Sequence, residues 1–275
     1  MVRDISVDTP GGWRGRSCDD PRYPGDLLSL LTEGQNALTR AHALLSGGEA
    51  VDLETVTLKP PVSRPGKIIC IGLNFAQHAA EGGYETPEVP EVFARFSTSL
   101  VGAEEPLRRP RESVQLDFEG DLAAVIGQPA RRVDESEALG HVAGYCVFND
   151  ATLRDYQFRT SQWTMGKNFD GTGALGPALV TADELPDGAA GLQLTTRLNG
   201  EVVQHASLDD MIFGVAPLVS FLSHVTTLEP GDVIACGTPS GVGFARTPPL
   251  WMAPGDVCEV EIERIGRLRN PIVQD

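Results

Sequence analysis

The chain has no run of about 18 apolar residues anywhere in its 275, so nothing in it reads as a membrane-spanning helix. Positive charge is also scarce. Lys and Arg number 22 against 38 Asp and Glu, a formal net charge of −16. Such an acidic surface repels phosphate backbones and anionic headgroups, which argues against nucleic acid and membranes as partners. The five cysteines (Cys18, Cys70, Cys146, Cys236, Cys258) form no CxxC pair. Three lie in strand-like runs (KIICIG, GYCVFN, VIACG), so all read as reduced core thiols rather than disulfides or zinc ligands. The opening MVRDISVDTPGGWRGRSCDD lacks the apolar region and small-residue cleavage site of a secretory signal. The expected location is the cytoplasm. With 41% hydrophobic and 22% charged residues, the chain can bury a sizeable core and is not a disordered tail.

Two regions differ in texture. Residues 1–65 read as a small N-terminal module and linker. Asp26 is an N-cap candidate, and Leu27, Leu30, Leu31, Leu38, Ala41, Leu44 and Leu45 recur at helical spacing. Gly34 should split them into two short helices, Gly47-Gly48 should end the second, and LKPPVSRPGK follows as a Pro-rich linker. Residues 66–275 are strand-rich, with buried strands expected at 67–71, 92–96, 116–126, 142–149, 233–236 and 257–262. Asn199-Gly200 between 194–198 and 202–205 predicts a hairpin with a type I′ turn. Asp134 to His141 predicts a short helix. Ser207 and Asp210 look like a cap for an amphipathic helix from Met211 to Leu222, in which Pro217 is a potential kink. Helices do not alternate regularly with strands, which disfavours a Rossmann or TIM fold.

Three segments carry candidate chemistry. In LDFEGDLAAVIG, one continuous strand places Asp117, Glu119 and Asp121 on one face, each roughly 7 Å from the next. Buried carboxylates without partners cost several kcal/mol each, a cost that a hard divalent cation relieves. A solvated acidic strand edge fits the same pattern. In GYCVFNDATLRDYQ, Asp150 ends a buried strand, Thr152 and Asp155 look like a capping pair, and Arg154 and Gln157 share a helical face. In IGLNFAQHAAEGG, Asn74 is an N-cap candidate, and His78 and Glu81 at i, i+3 form a candidate general-base pair. The bland alternatives are surface salt bridges, helix caps and a structural histidine.

In order along the chain, KIICIGLNFAQHAAE, LDFEGDLAAVIG, GYCVFNDATLRDYQ, GKNFDGTGALGP, LNGEVVQ, and GDVIACGTPSGVG with PGDVCEVEIERIG resemble the fumarylacetoacetate hydrolase family over roughly residues 66–272. The resemblance implies a β-rich mixed α+β fold, its mixed sheets rolled into a sandwich or barrel with short helices around it, and a homodimer. It implies a Mg2+ or Mn2+ ion held by Glu119, Asp121 and Asp150, with Asp117 a bystander. At the second of these positions the family pattern has Glu, one methylene longer than Asp121. The resemblance also makes His78 and Glu81 a catalytic pair together with Lys167, gives Arg154, Gln157 and Thr238 to substrate binding, and makes GYETPEVPE a mobile lid. The side chains expected to choose the substrate lie in that lid and around Phe148, Trp163 and Trp251.

The expected enzyme is a divalent-metal-dependent hydrolase that cleaves a carbon–carbon bond in a small 2,4-dioxo acid of the acylpyruvate type, or a related β-diketone, through a stabilised enolate. His78, helped by Glu81, would activate the attacking water. The alternative within the family is a lyase or isomerase, such as an oxaloacetate-type decarboxylase or a hydroxymuconate-type isomerase. A non-catalytic ligand-binding protein is the reading from another class, and the retention of His78 and Lys167 argues against it.

Overall fold

The computed structural model describes residues 3–9, 12–17, 26–52 and 55–275. Two sheets dominate. A seven-stranded mixed sheet runs in the spatial order Glu91–Arg95, Ile68–Gly72, Val233–Ala235, Gly120–Ile126, Val142–Asn149, Gly173–Thr181, Leu100–Val101. A five-stranded sheet runs Glu201–Ser207, Gln193–Leu198, Val257–Ile262, Gly266–Gln274, Leu107–Arg109. The result is the β-rich mixed fold with few short helices that the resemblance implies.

The central strands of the larger sheet are apolar throughout because both of its faces are covered, and successive side chains leave a strand on opposite sides. Ile69, Ile71, Leu122, Ala124, Ile126, Tyr145 and Val147 belong to one core cluster, with Leu194, Leu198, Val260, Ile262 and Leu268 of the five-stranded sheet. Their chain neighbours Ile68, Cys70, Ala123, Val125, Cys146 and Phe148 belong to a second cluster that includes Leu31 and Val62. Leu27, Leu28 and Leu38 pack against that second cluster. The helices Leu27–Glu33 and Gln35–Ser46 therefore cover the far face of the sheet. Asp26 caps the first through its side chain, which accepts from Ser29 N–H, and Gly34 divides the two.

Several local expectations are corrected. The strand expected over 116–126 is interrupted: Leu116–Asp117 pairs with Thr152–Leu153 in a separate two-stranded ladder, and the long strand begins only at Gly120. Asp117, Glu119 and Asp121 therefore do not line one face of a continuous strand. Asn74 is no cap, because Phe75 occupies the N-cap of Ala76–Glu81. The Asn74 side chain instead bonds the backbone of Phe213 and Cys236. Thr152 lies in the small ladder rather than at a helix start, its hydroxyl donating to the Asp150 carbonyl. Ser207 caps a single 3-10 turn, and the amphipathic helix starts later, at Val215, so Pro217 falls in its first turn, where no N–H is needed. Asn199 and Gly200, with φ of 54° and 87°, make the expected hairpin turn. An antiparallel pair Arg3–Thr9 with Gly12–Ser17, extended by Glu49–Ala50, was not anticipated. Of the five thiols, Cys70, Cys146, Cys236 and Cys258 are free and buried, and Cys18 lies outside the described residues.

Candidate active site

Register brings the acidic residues together. Gly120–Ile126 and Val142–Asn149 are antiparallel neighbours with Gly120 opposite Asn149 and Asp121 opposite Phe148. The residue before the first strand and the residue after the second therefore meet, and Asp150 N–H donates to the Glu119 carbonyl at 2.8 Å. Val233–Ala235 runs antiparallel to Gly120–Ile126 and parallel to Ile68–Gly72, so both deliver their following segments to the same end of the sheet. One segment carries Gly237 and Thr238, and the other carries the helix with His78 and Glu81.

All nine residues singled out from the sequence lie at this end. Lys167, on the short helix Thr164–Lys167, is almost fully buried, and its Nζ stands 2.7 Å from Glu119 Oε2 and 2.7 Å from Asp150 Oδ2. The other Asp150 oxygen accepts from Arg95 Nη1 at 2.5 Å. Arg154 donates through Nε to Asp117 Oδ2 at 2.8 Å and through Nη1 to Gln157 Oε1 at 2.8 Å. Its Nη2 lies 2.6 Å from Glu119 Oε1 but makes no aligned hydrogen bond. The guanidinium is 4.4 Å from the centre of the Phe244 ring. His78 Nδ1 is 2.9 Å from Glu81 Oε1, and both Glu81 oxygens accept from Gly241 N–H, at 3.0 and 2.9 Å. A carboxylate can only accept, so the imidazole carries its proton on Nδ1 and keeps Nε2 as a lone-pair nitrogen when neutral. Thr238 donates to the Gly120 carbonyl and accepts from Gln204 Nε2 at 2.9 Å.

A solvent-open cleft joins several of these groups. Its lining includes His78, Glu119, Arg154, Gln157, Lys167 and Thr238, walled by aromatics such as Phe93, Phe158, Trp163 and Phe244. Tyr84, in the segment expected to act as a lid, also borders it. Of the three aromatics expected to select substrate, Trp163 lines the cleft, whereas Phe148 is buried in the core under the sheet and Trp251 is not part of the lining.

Charge balance shows what the centre can hold. Burial pushes the Glu119 carboxyl up, but the Lys167 ammonium and the Arg154 guanidinium outweigh it and bring it down to about 2. Burial pushes the Lys167 ammonium down, but Asp150 and Glu119 more than restore it, so the amine stays charged. At Asp121 the Lys167 ammonium acts too weakly to prevail. Burial, then the negative charges of Asp150 and Glu119, drive its carboxyl well above the usual range. One oxygen accepts from Gly237 N–H at 3.0 Å, and Oδ1 is buried with no hydrogen-bond partner among the described residues. An orphaned carboxylate oxygen beside two further carboxylates fits a hard divalent cation. Among the described residues the acidic side chains are not drawn around a single point, since Glu119 and Asp150 turn toward the Lys167 ammonium.

Sequence reasoning missed Arg95, which is buried and donates to Asp150, the Ala151 carbonyl, Ser99 and Thr172. It also missed Gln204, which anchors the Thr238 loop. Gln204 ends the LNGEVVQ motif, so a signal was present; Arg95 carried none.

Comparison with known proteins agrees with this architecture. A family profile described as Fumarylacetoacetate (FAA) hydrolase C-terminal matches residues 67–273. The chain is 39% identical over 257 residues to the oxaloacetate tautomerase fahd2, mitochondrial, of Xenopus laevis, covering 92% of this chain and 80% of that protein. Among solved structures, the 5-carboxymethyl-2-hydroxymuconate delta-isomerase from Mycobacterium smegmatis is similar with a TM-score of 0.74 and 31% identity, over 100% of this chain and 99% of that one. The fumarylacetoacetate hydrolase from psychrophilic Exiguobacterium antarcticum is similar with a TM-score of 0.78 and 33% identity, over the full length of both chains. A profile spanning most of the chain and relatives matched along nearly their whole length place it in the fumarylacetoacetate hydrolase family.

Proposed function

We propose that this protein catalyses keto–enol proton transfer on a small 2-oxo dicarboxylic acid of the oxaloacetate type. One observation carries the reading: a histidine backed by a carboxylate lines a single cleft with two buried cations, Lys167 and Arg154, and with Glu119, behind which Asp121 and Asp150 lie close enough to act on one another's charge. The tautomerase and isomerase names of similar proteins support it.

The residues divide the work. A divalent cation held by Glu119, Asp121 and Asp150 would polarise the oxygen of the substrate's 2-oxo group, as a Lewis acid does. Arg154, with Gln157 beside it, holds a substrate carboxylate. His78 Nε2 removes a proton from C3, and the Glu81 carboxylate on Nδ1 stabilises the imidazolium that forms. Lys167 offsets the negative charge that gathers on the 2-oxo oxygen, which then takes up a proton from solvent to complete the enol while His78 releases the C3 proton to solvent. In the reverse direction His78 returns its proton to C3. The aromatic walls limit water at the reacting carbon.

The second reading is hydrolysis of an acylpyruvate-type 2,4-dioxo acid, favoured by the same His78–Glu81 pair, with His78 taking its proton from water rather than from carbon. The two readings separate in one assay. The enol absorbance of freshly dissolved oxaloacetate, and of acetylpyruvate, is followed with Mg2+ present while pyruvate release is measured in parallel. The proposal expects rapid loss of the oxaloacetate enol without matching pyruvate, and a fall of about 10- to 100-fold in kcat for Glu81→Gln, which keeps an acceptor for Nδ1–H but loses the charge. Faster cleavage of acetylpyruvate would favour the hydrolase. Enol decay at the uncatalysed rate, with acetylpyruvate untouched, would refute both.

A further inference from the structure

The residue with no role so far is Asp117, the bystander of the sequence reading. It is completely buried and does not border the cleft. Both of its oxygens are nonetheless fully used. Oδ1 accepts from Gly243 N–H at 2.7 Å and Phe118 N–H at 2.9 Å, and Oδ2 accepts from Phe244 N–H at 3.0 Å and Arg154 Nε at 2.8 Å. The fit is tight: a Cβ added to Gly243 would lie 2.5 Å from Asp117 Oδ1 and 1.9 Å from the Leu250 carbonyl oxygen.

We infer that Asp117 is the positioning residue for Arg154. The two backbones are locked before the side chains meet, with Thr152 opposite Asp117, Leu153 opposite Leu116, and Arg154 N–H on the Gln115 carbonyl. Asp117 then holds Nε, Gln157 holds Nη1, and the Phe244 ring, whose own N–H is fixed by the same carboxylate, lies against the guanidinium. A planar guanidinium held at two nitrogens and one face has no rotational freedom left. Nη2 is the remaining nitrogen, ion-paired with Glu119 Oε1 at 2.6 Å but without an aligned hydrogen bond among the described residues. Asp117 thus fixes the plane of a guanidinium that borders the cleft without bordering the cleft itself, and one carboxylate sets both that plane and the position of Phe244 in the cleft wall.

This inference rests on the reading of Arg154 as the holder of a substrate carboxylate, and the experiment separates the two. Binding of malonate, a non-reacting dicarboxylate, is titrated calorimetrically in Mg2+ buffer against the wild type, Arg154→Lys, Asp117→Asn and the double variant. Asp117→Asn is nearly isosteric but sets an NH2 group against N–H donors on one side or the other. We expect each single substitution to weaken malonate by roughly 10-fold or more, the scale of one charged hydrogen bond. The double variant is expected to bind no more weakly than Arg154→Lys, because Asp117 acts through Arg154. In turnover the same loss falls on KM, with kcat nearly unchanged. Unaltered affinity in Arg154→Lys sinks the reading of Arg154. A loss in Arg154→Lys with none in Asp117→Asn, or fully additive losses, overturns the inference about Asp117. Should Asp117→Asn fail to fold, the wild type decides. The Arg154 Nε–H NMR resonance, assigned by its disappearance in Arg154→Lys, stays protected from solvent exchange and unmoved as malonate saturates. A resonance that shifts or exchanges freely shows a guanidinium that Asp117 does not hold.

Discussion

Replacing Lys167 with Met tests the charge balance of the site directly. The ammonium lies 2.7 Å from both Glu119 Oε2 and Asp150 Oδ2, and all three side chains are more than nine-tenths buried. Four buried carboxyl groups (Asp117, Glu119, Asp121, Asp150) lie at this site with three buried cations (Arg95, Arg154, Lys167), and the substitution leaves two of these cations. Removing one partner from a buried ion pair costs about 3–5 kcal/mol. Arg154 and Arg95 still hold one oxygen each of Glu119 and Asp150, so the lower figure applies. A loss of about 3 kcal/mol lowers Tm by about 6–12 °C in a chain of this size. The variant also frees the two oxygens that the ammonium occupies. A divalent cation at 100 times its Kd then returns about 2.7 kcal/mol through mass action. Thermal unfolding in EDTA and again with Mg2+ or Mn2+ reads both effects: Lys167→Met should melt well below the wild type in EDTA and gain more from the metal. Equal melting in EDTA would refute the buried-charge argument. Melting curves of both proteins indifferent to metal would refute the acidic trio as a cation site.

Two further outcomes are expected. A Cβ on Gly72 would lie 2.2 Å from Trp163 Cζ3, so Gly72→Ala must drive the indole from its edge-on seat 5.5 Å from the Phe93 ring. Overpacking of this kind costs about 1–3 kcal/mol, and the denaturation midpoint should fall while tryptophan emission shifts to the red; an unchanged midpoint and spectrum would show the seat to be looser than drawn. Burial pushes the Cys258 thiol from its ordinary 9.0 up to about 12. A raised folded value means the stability tied to this thiol is whole below pH 9 and drains away as pH climbs from 9 toward 12. Denaturation midpoints of Cys258→Ala should therefore decline less steeply over that range than those of the wild type, and parallel declines would contradict the burial.

How far the site could be read from the chain depended on which bonds were local. Asp150 is legible because it ends an apolar strand whose limits can be seen in sequence, whereas Glu119 was set inside a strand that begins only at Gly120, and antiparallel register brings the two together. His78 and Glu81 are legible because three residues of helix bring them into contact without help from elsewhere. Helix caps read by the same local logic failed at Asn74 and Thr152, whose side chains were claimed by partners that tertiary packing supplied. Arg95 looks like any charge on a half-exposed edge strand, and its importance arises only because Asp150 and Thr172 arrive from 55 and 77 residues away. Asp117 was misjudged for a related reason. Even alternation assigned it to the face of Glu119 and Asp121, yet the chain leaves strand geometry between Asp117 and Gly120 and sends its carboxylate to the Gly243 and Phe244 amides. The donors that organise this end of the sheet are backbone N–H groups of one loop: Gly237 to Asp121, Gly241 to Glu81, and Gly243 and Phe244 to Asp117. Backbone donors leave no side-chain signature beyond the glycines that let them approach. A sequence can therefore announce the carboxylates of such a site while concealing the loop that aims them.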